Sequence, residues 1–227
     1  MDIIAHRGAN REFPENTLVA FERALEIGVD GLETDLLLTR DGQIVVRHDD
    51  WVKTRDDWHY IRELASGEIQ QIDLGKGQRI PDLSLFFERF YGRIPLVFDL
   101  KCDGLAPLLA AYLKNHRADH SDKIHVTSFL QTEMMEFGKL CPGIRRSIIY
   151  SALPVHCERW FKETGVDEVS LYRGYLKEST VRCLRDQNIR VRVYSVNVLR
   201  EACAFAAWGV NAIYTDDPAV MQSLRLK

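Results

Sequence analysis

Gly31-Leu32-Glu33-Thr34-Asp35-Leu36-Leu37-Leu38-Thr39-Arg40-Asp41-Gly42-Gln43-Ile44-Val45-Val46-Arg47-His48-Asp49 decides how this chain folds. Two apolar runs flank Thr39-Arg40-Asp41-Gly42, a tight-turn signal, so residues 43–48 return antiparallel as a hairpin arm against residues 31–37. Elsewhere β-rich runs at 2–6, 94–100, 124–128, 145–150, 167–171, 189–194 and 212–215 alternate with helical patterns. The helical patterns cover 17–27, 83–91, 105–115, 132–139, 157–163, 179–187, 199–207 and 219–224, and Gly28, Gly92, Gly165 and Gly209 close four of them. With the hairpin arm set aside, eight strands remain, each followed by a helix. Strict alternation favours a parallel sheet, and eight units favour a single closed (β/α)8 barrel over residues 1–227 with a short β-hairpin extension after strand 2. An open doubly wound sheet is the alternative.

The turn also sets the chemistry. A turn centred on Asp41-Gly42 places Asp35 about opposite His48, and Glu33, two residues away, shares the face of Asp35. In a barrel the carboxyl ends of the strands form the active face. His6, Glu33, Asp35, Asp99, Lys101, Ser128, Tyr194 and Asp216 all fall at such ends. Charge concentrated at the ends of the first three strands is hard to explain by packing.

Glu33 and Asp35 can offer two oxygens to one hard cation, with Asp99 as a third, a donor set that suits Mg²⁺ or Ca²⁺. The structural alternative is that they pair with Arg7 or Lys101. His6 ends one apolar strand and His48 another. One strand-end histidine is ordinarily structural, but two converging on an acidic site suggest a base and an acid. His59, His116, His120, His125 and His156 show no comparable arrangement. Arg7 and Lys101 are the candidate phosphate cations. Pro14-Glu15-Asn16-Thr17 reads chiefly as a helix start capped by Asn16 or Thr17, with Glu15 available to hold Arg7 or His6.

Composition narrows the partners. The 227 residues are 46% hydrophobic and 28% charged with a net charge of −3, and the basic residues are scattered, so a nucleic-acid surface is not expected. Five cysteines without a Cys-x-x-Cys pair read as free thiols in a reducing compartment. With no apolar run near the ~20 residues of a membrane span, and no signal-peptide pattern, a cytoplasmic protein without stable membrane insertion is expected. The oligomeric state is not legible.

His6-Arg7-Gly8, Pro14-Glu15-Asn16-Thr17, Glu33-x-Asp35, Thr39-x-Asp41-Gly42 and His48-Asp49, in this order, resemble the signature of the glycerophosphodiester phosphodiesterases. Ile80-Pro81-x-Leu83, Thr127-Ser128-Phe129, residues 193–197 and Thr215-Asp216-x-Pro218 resemble further family segments. The resemblance implies a TIM barrel and a metal-dependent hydrolysis of small-molecule glycerophosphodiesters to glycerol 3-phosphate and an alcohol. It implies His6 and His48 as the acid–base pair, Glu33 and Asp35 as metal ligands, and Arg7 and Lys101 as phosphate contacts. Phe129, Tyr194 and Asn197 are then candidates for the glycerol side of the pocket. Three positions depart from the family pattern: Asp99 stands for a glutamate, Tyr194 for a tryptophan, and an aromatic stretch from Trp51 to Tyr60 replaces a Thr-Thr-Gly-like segment. That stretch could contact an apolar part of the substrate or pack on the barrel rim. The competing functions are a lysophospholipase D or phospholipase C-like enzyme with the same centre, and a non-catalytic scaffold, which the intact set of charged residues argues against.

Overall fold

The computed structural model describes residues 1–54, 57–155 and 157–226. Arg55 and Asp56 of the aromatic stretch, His156, and Lys227 lie outside the described residues. The chain runs β1 (Asp2–His6), α1 (Leu18–Ile27), β2 (Gly31–Leu38), β3 (Ile44–Val46), β4 (Trp51–Lys53), β5 (Trp58–Tyr60), α2 (Ser66–Ile69) and α3 (Leu83–Phe90). It continues β6 (Leu96–Leu100), α4 (Leu105–Asn115), β7 (Ile124–Ser128), α5 (Gln131–Leu140), β8 (Arg145–Tyr150) and α6 (Cys157–Thr164). The last part is β9 (Glu168–Tyr172), α7 (Glu178–Asp186), β10 (Arg190–Tyr194), α8 (Leu199–Trp208), β11 (Ala212–Thr215) and α9 (Pro218–Met221).

Among the described residues, β1, β2 and β6 to β11 form a parallel sheet that closes because β1 pairs with both β2 and β11. This is the TIM barrel expected from the alternation, and the open sheet is excluded. β2 is longer than its neighbours. Its first residues pair with β1, and Leu36, Leu37 and Leu38 pair antiparallel with Val46, Val45 and Ile44 of β3. The hairpin arm is therefore present, with a register one residue from the expected one. The Arg47 amide bonds the Asp35 carbonyl, so Arg47, not His48, lies opposite Asp35. The reason is the turn. Thr39 pairs with Gln43 through a backbone bond, and Gly42 sits at φ 76°, giving a three-residue loop centred on Asp41.

Two registers decide the chemistry of the rim. His6 lies beside Glu33, and Asp35 lies beside Asp99. Gly8 makes the first of these workable. It turns at φ 84°, and a Cβ there would lie 2.6 Å from the Ala20 carbonyl carbon, so only glycine lets the rim loop rest on α1.

The helices bury an apolar face against the outer surface of the barrel. Phe21 of α1 meets Phe86 of α3 edge-on at 4.7 Å, and Phe86 reaches Phe98 of β6 at 6.1 Å. A second core collects Leu37, Val45, Val52, Ile61, Leu64, Ile69, Ile72 and Ile80 beneath the segment that follows β3. That segment contains the antiparallel pair β4–β5 and the short helix α2, neither of which the apolar pattern signals.

Glu133 of α5 fixes a rim loop from below. Its buried carboxylate accepts from the Gly104 and Ala106 amides at 2.9 and 2.7 Å, satisfying donors at the start of α4, just after Lys101. Glu133→Ala is expected to cost about 2 kcal/mol by leaving these amides unpaired, with Glu133→Gln losing less. Urea unfolding of the two variants checks this, and equal midpoints for wild type and alanine variant would contradict it.

Candidate active site

All ten residues singled out in the sequence border one cavity of about 420 Å³ at the carboxyl ends of the strands: His6, Arg7, Glu33, Asp35, His48, Asp99, Lys101, Phe129, Tyr194 and Asn197. Glu33, Asp35, Asp99, Arg7 and Lys101 come from β1, β2, β6 and their loops. The opposite wall is aromatic, with Phe129 edge-on to Tyr194 at 6.1 Å and Tyr172 at 6.0 Å from Tyr194.

Glu33, Asp35 and Asp99 are buried, and each brings a carboxylate oxygen within 4.8 Å of the others. Burial and the Asp35 charge push Glu33 up to about 8. Burial, opposed by Lys101 and aided by Asp35, pushes Asp99 up to about 6. Asp35 goes the other way: burial would raise it, but Arg7 and Lys101 together hold it below the usual carboxylate range. Asp99 Oδ1 is buried without a hydrogen-bond partner among the described residues. An orphaned oxygen within a cluster of hard, like-charged donors fits a divalent cation such as Mg²⁺ or Ca²⁺.

The cations interlock with these acids. Arg7 Nε lies 3.0 Å from Asp35 Oδ2, and its terminal nitrogen donates to Glu15 at 2.9 Å. Lys101 Nζ lies 3.4 Å from Asp99 Oδ2 and 3.7 Å from Asp35 Oδ1, and sits over the Phe129 ring at 5.7 Å. The rim turn holding Arg7 is strained. Arg7 itself has φ 60°, a left-handed conformation costing roughly 1 kcal/mol outside glycine.

Each imidazole has one nitrogen tied to a carboxylate. His6 Nδ1 bonds Asp216 Oδ1 at 2.6 Å, and His48 Nδ1 bonds Asp49 Oδ1 at 2.8 Å. A carboxylate partner accepts, so Nδ1 carries the proton and Nε2 is left for chemistry. Asp216 is fixed in turn by Asn10 at 2.9 Å and Asn197 at 2.6 Å. Asn197 thus directs its amide nitrogen to Asp216, and its amide oxygen accepts from the Asp216 backbone amide at 2.8 Å.

Two supporting residues escaped the sequence reading. Asp216 was visible only as a strand-end acid. Of the two cap candidates, Asn16 and Thr17, it is Thr17 that caps α1. Asn16 is instead fully buried at φ 56° and donates to Asp35 Oδ2 at 2.9 Å, while its oxygen accepts from Thr34 at 2.9 Å. Glu15 does hold Arg7. The aromatics of β4 and β5 lie apart from the cavity: Trp51, Trp58 and Tyr60 are exposed around a cleft of their own with His59. His125 is buried inside the barrel, where Arg192 donates to its Nδ1 at 3.3 Å and its Nε2 bonds Ser147 at 2.9 Å.

Burial alone would lower His6, but the Asp216 hydrogen bond and the Glu33 charge outweigh it and raise it above 6.5. Burial would raise Asp216, and the His6 contact overcomes this and holds it well below 3.8. The raised His6 stabilises the fold fully below pH 6.5 and loses this as pH rises through its folded value. The lowered Asp216 stabilises the fold above pH 3.8 and loses this as pH falls. Asp216→Asn is therefore expected to lower the His6 titration midpoint, and to cost most stability between these two pH values. NMR titration of His6 with unfolding across pH measures both effects, and an unmoved midpoint would contradict the pairing.

The chain resembles known proteins over nearly its whole length. A glycerophosphodiester phosphodiesterase of Caldanaerobacter subterraneus subsp. tengcongensis is 28% identical over 98% of this chain and 96% of its own. The solved structure of an Oleispira antarctica phosphodiesterase, in complex with the product sn-glycerol-3-phosphate, superposes with a TM-score of 0.91 at 25% identity, covering 100% of this chain and 97% of that one. A human lysophospholipase D is 33% identical over 52% of this chain and 42% of its own. The model of the glycerophosphoryl diester phosphodiesterase family matches residues 6–220, and the chain belongs to that family.

Proposed function

We propose that the protein hydrolyses glycerophosphodiesters to glycerol 3-phosphate and an alcohol by acid–base catalysis through His6 and His48. The observation that carries this is the pair of imidazoles, each anchored at Nδ1, bordering one cavity with three clustered carboxylates, Arg7 and Lys101. The product bound by the Oleispira antarctica relative supports it.

Glu33, Asp35 and Asp99 would hold the divalent cation, Mg²⁺ or Ca²⁺. When bound, such a cation polarises a phosphoryl oxygen and offsets charge developing on the phosphorus. Arg7 and Lys101 bind the remaining phosphate oxygens, Arg7 through a guanidinium already oriented by Asp35 and Glu15. His6 Nε2 takes the proton of the attacking oxygen, which belongs to water or to the glycerol 2-hydroxyl. In the latter case a cyclic phosphate forms and is opened by water. His48, entering protonated at both nitrogens, gives its Nε2 proton to the departing alkoxide, and exchange with water afterwards removes the proton from His6 and restores the one on His48.

Chelation is expected to abolish hydrolysis of glycerophosphodiesters, and added Mg²⁺ or Ca²⁺ to restore it. Full turnover in chelator by a Glu33→Gln, Asp35→Asn double variant would overturn the metal assignment.

His6→Ala and His48→Ala should each lower kcat by about 10²–10⁴ while the fold persists. A nitrophenyl leaving group needs little protonation, so it should rescue the His48 variant and not the His6 variant. Equal losses on both substrates would overturn the division of roles. A lysophospholipid in the same assay separates the diesterase from the lipid-directed reading that the human relative favours.

A further inference from the structure

Arg173 borders the same cavity as the two imidazoles and has no role in the chemistry above. It opens the short 3₁₀ turn Arg173–Tyr175 after β9, next to Tyr172 on the aromatic wall. Its engagement differs from that of the other two cavity cations. Arg7 contacts both Asp35 and Glu15, and Lys101 contacts both Asp35 and Asp99. Arg173 has one carboxylate partner among the described residues: a terminal nitrogen donates to Glu201 Oε1 of α8 at 2.9 Å. Its side chain is 39% exposed. The guanidinium is thus steadied at one corner, while Nε–H and the second terminal NH₂ keep their donors.

We propose that Arg173 is a specificity determinant that favours diesters whose alcohol carries a carboxylate; this rests on the phosphodiesterase reading. The cavity, at about 420 Å³, is large enough for a whole glycerophosphodiester. With the phosphate on Arg7 and Lys101, the alcohol arm rather than the glycerol would take the aromatic wall, where Arg173 follows Tyr172. A carboxylate there accepts charge-assisted hydrogen bonds from the planar fork, which are stronger than those a neutral hydroxyl makes. Glu201 offsets the charge of Arg173 at long range, so the preference is a contact effect. It requires an anion within hydrogen-bond reach. An uncapped ammonium head gains nothing from this corner of the site.

Glycerophosphoserine and glycerophosphoethanolamine isolate the carboxylate, because they differ by that group alone. The wild-type enzyme should favour the serine diester in kcat/KM by about tenfold or more. Arg173→Leu should bring the ratio near one, chiefly through KM, and Arg173→Lys should keep an intermediate ratio. Glu201→Gln should preserve or enlarge it. A wild-type ratio of one or less, or a ratio that Arg173→Leu leaves in place, would overturn the proposal. Calorimetry with O-phosphoserine against O-phosphoethanolamine reads the same preference without turnover, and equal binding would also overturn it. A binding preference that persists when no diester is hydrolysed would instead remove the phosphodiesterase reading and keep the anion preference of Arg173.

Discussion

Three buried carboxylates in one pocket are the constraint that the rest of this rim answers. Two unit charges at ~4 Å repel by about 4 kcal/mol at an effective dielectric near 20, and burial adds its own cost. The chain meets this with interleaved donors and cations. Asn16 donates to Asp35, Arg7 and Lys101 flank it, and the Arg7 backbone amide reaches Glu33 at 3.1 Å. Those partners sit on separate elements, so the loop after β1, the helix start at α1 and the end of β6 are held in place by one electrostatic problem. The strained turn at Arg7 persists because its surroundings over-determine it.

Much of this was legible in the chain. Alternating apolar runs mark the barrel because both faces of a parallel strand are buried and each crossover needs a helix. Acids at i and i+2 mark a shared face. The hairpin register slipped by one because an Asp-Gly pair reads equally as a two- or three-residue turn, and Thr39 pairing with Gln43 selects the longer loop. Asp216 and Asn16 were missed as partners because their contacts depend on tertiary closure. No local pattern joins residue 216 to residue 6, and an asparagine before a helix looks like a cap. The short strands β4 and β5 were missed because three-residue runs carry almost no periodic signal.

The barrel interior is divided in a way that composition does not disclose. Ile4, Val97, Ala212 and Tyr214 form one small apolar cluster. Another group is polar: Glu168 bonds Arg192 at 2.7 Å, Arg192 reaches His125, and Ser147 donates to Thr127 at 2.9 Å. Burial, with Arg192 nearby, drives His125 well below its ordinary value, so its ring is neutral and relays hydrogen bonds rather than charge. Thr127 and Ser170 carry this set up to the cavity itself. An ion pair so enclosed adds little net stability against an apolar alternative, but losing either partner would strand a charge.

The bond between His6 and Asp216 spans 210 residues. A chain made from its amino terminus exposes the first imidazole early, along with a β1 edge whose second neighbour, β11, follows every other strand of the barrel. Until that strand docks, His6 lacks the carboxylate that fixes its tautomer, and the ring of strands around the acids stays open. Barrel closure and the anchoring of His6 are therefore one event. A chain cut short before Asp216 carries all three acids of the pocket yet has no carboxylate to anchor the imidazole of its first strand.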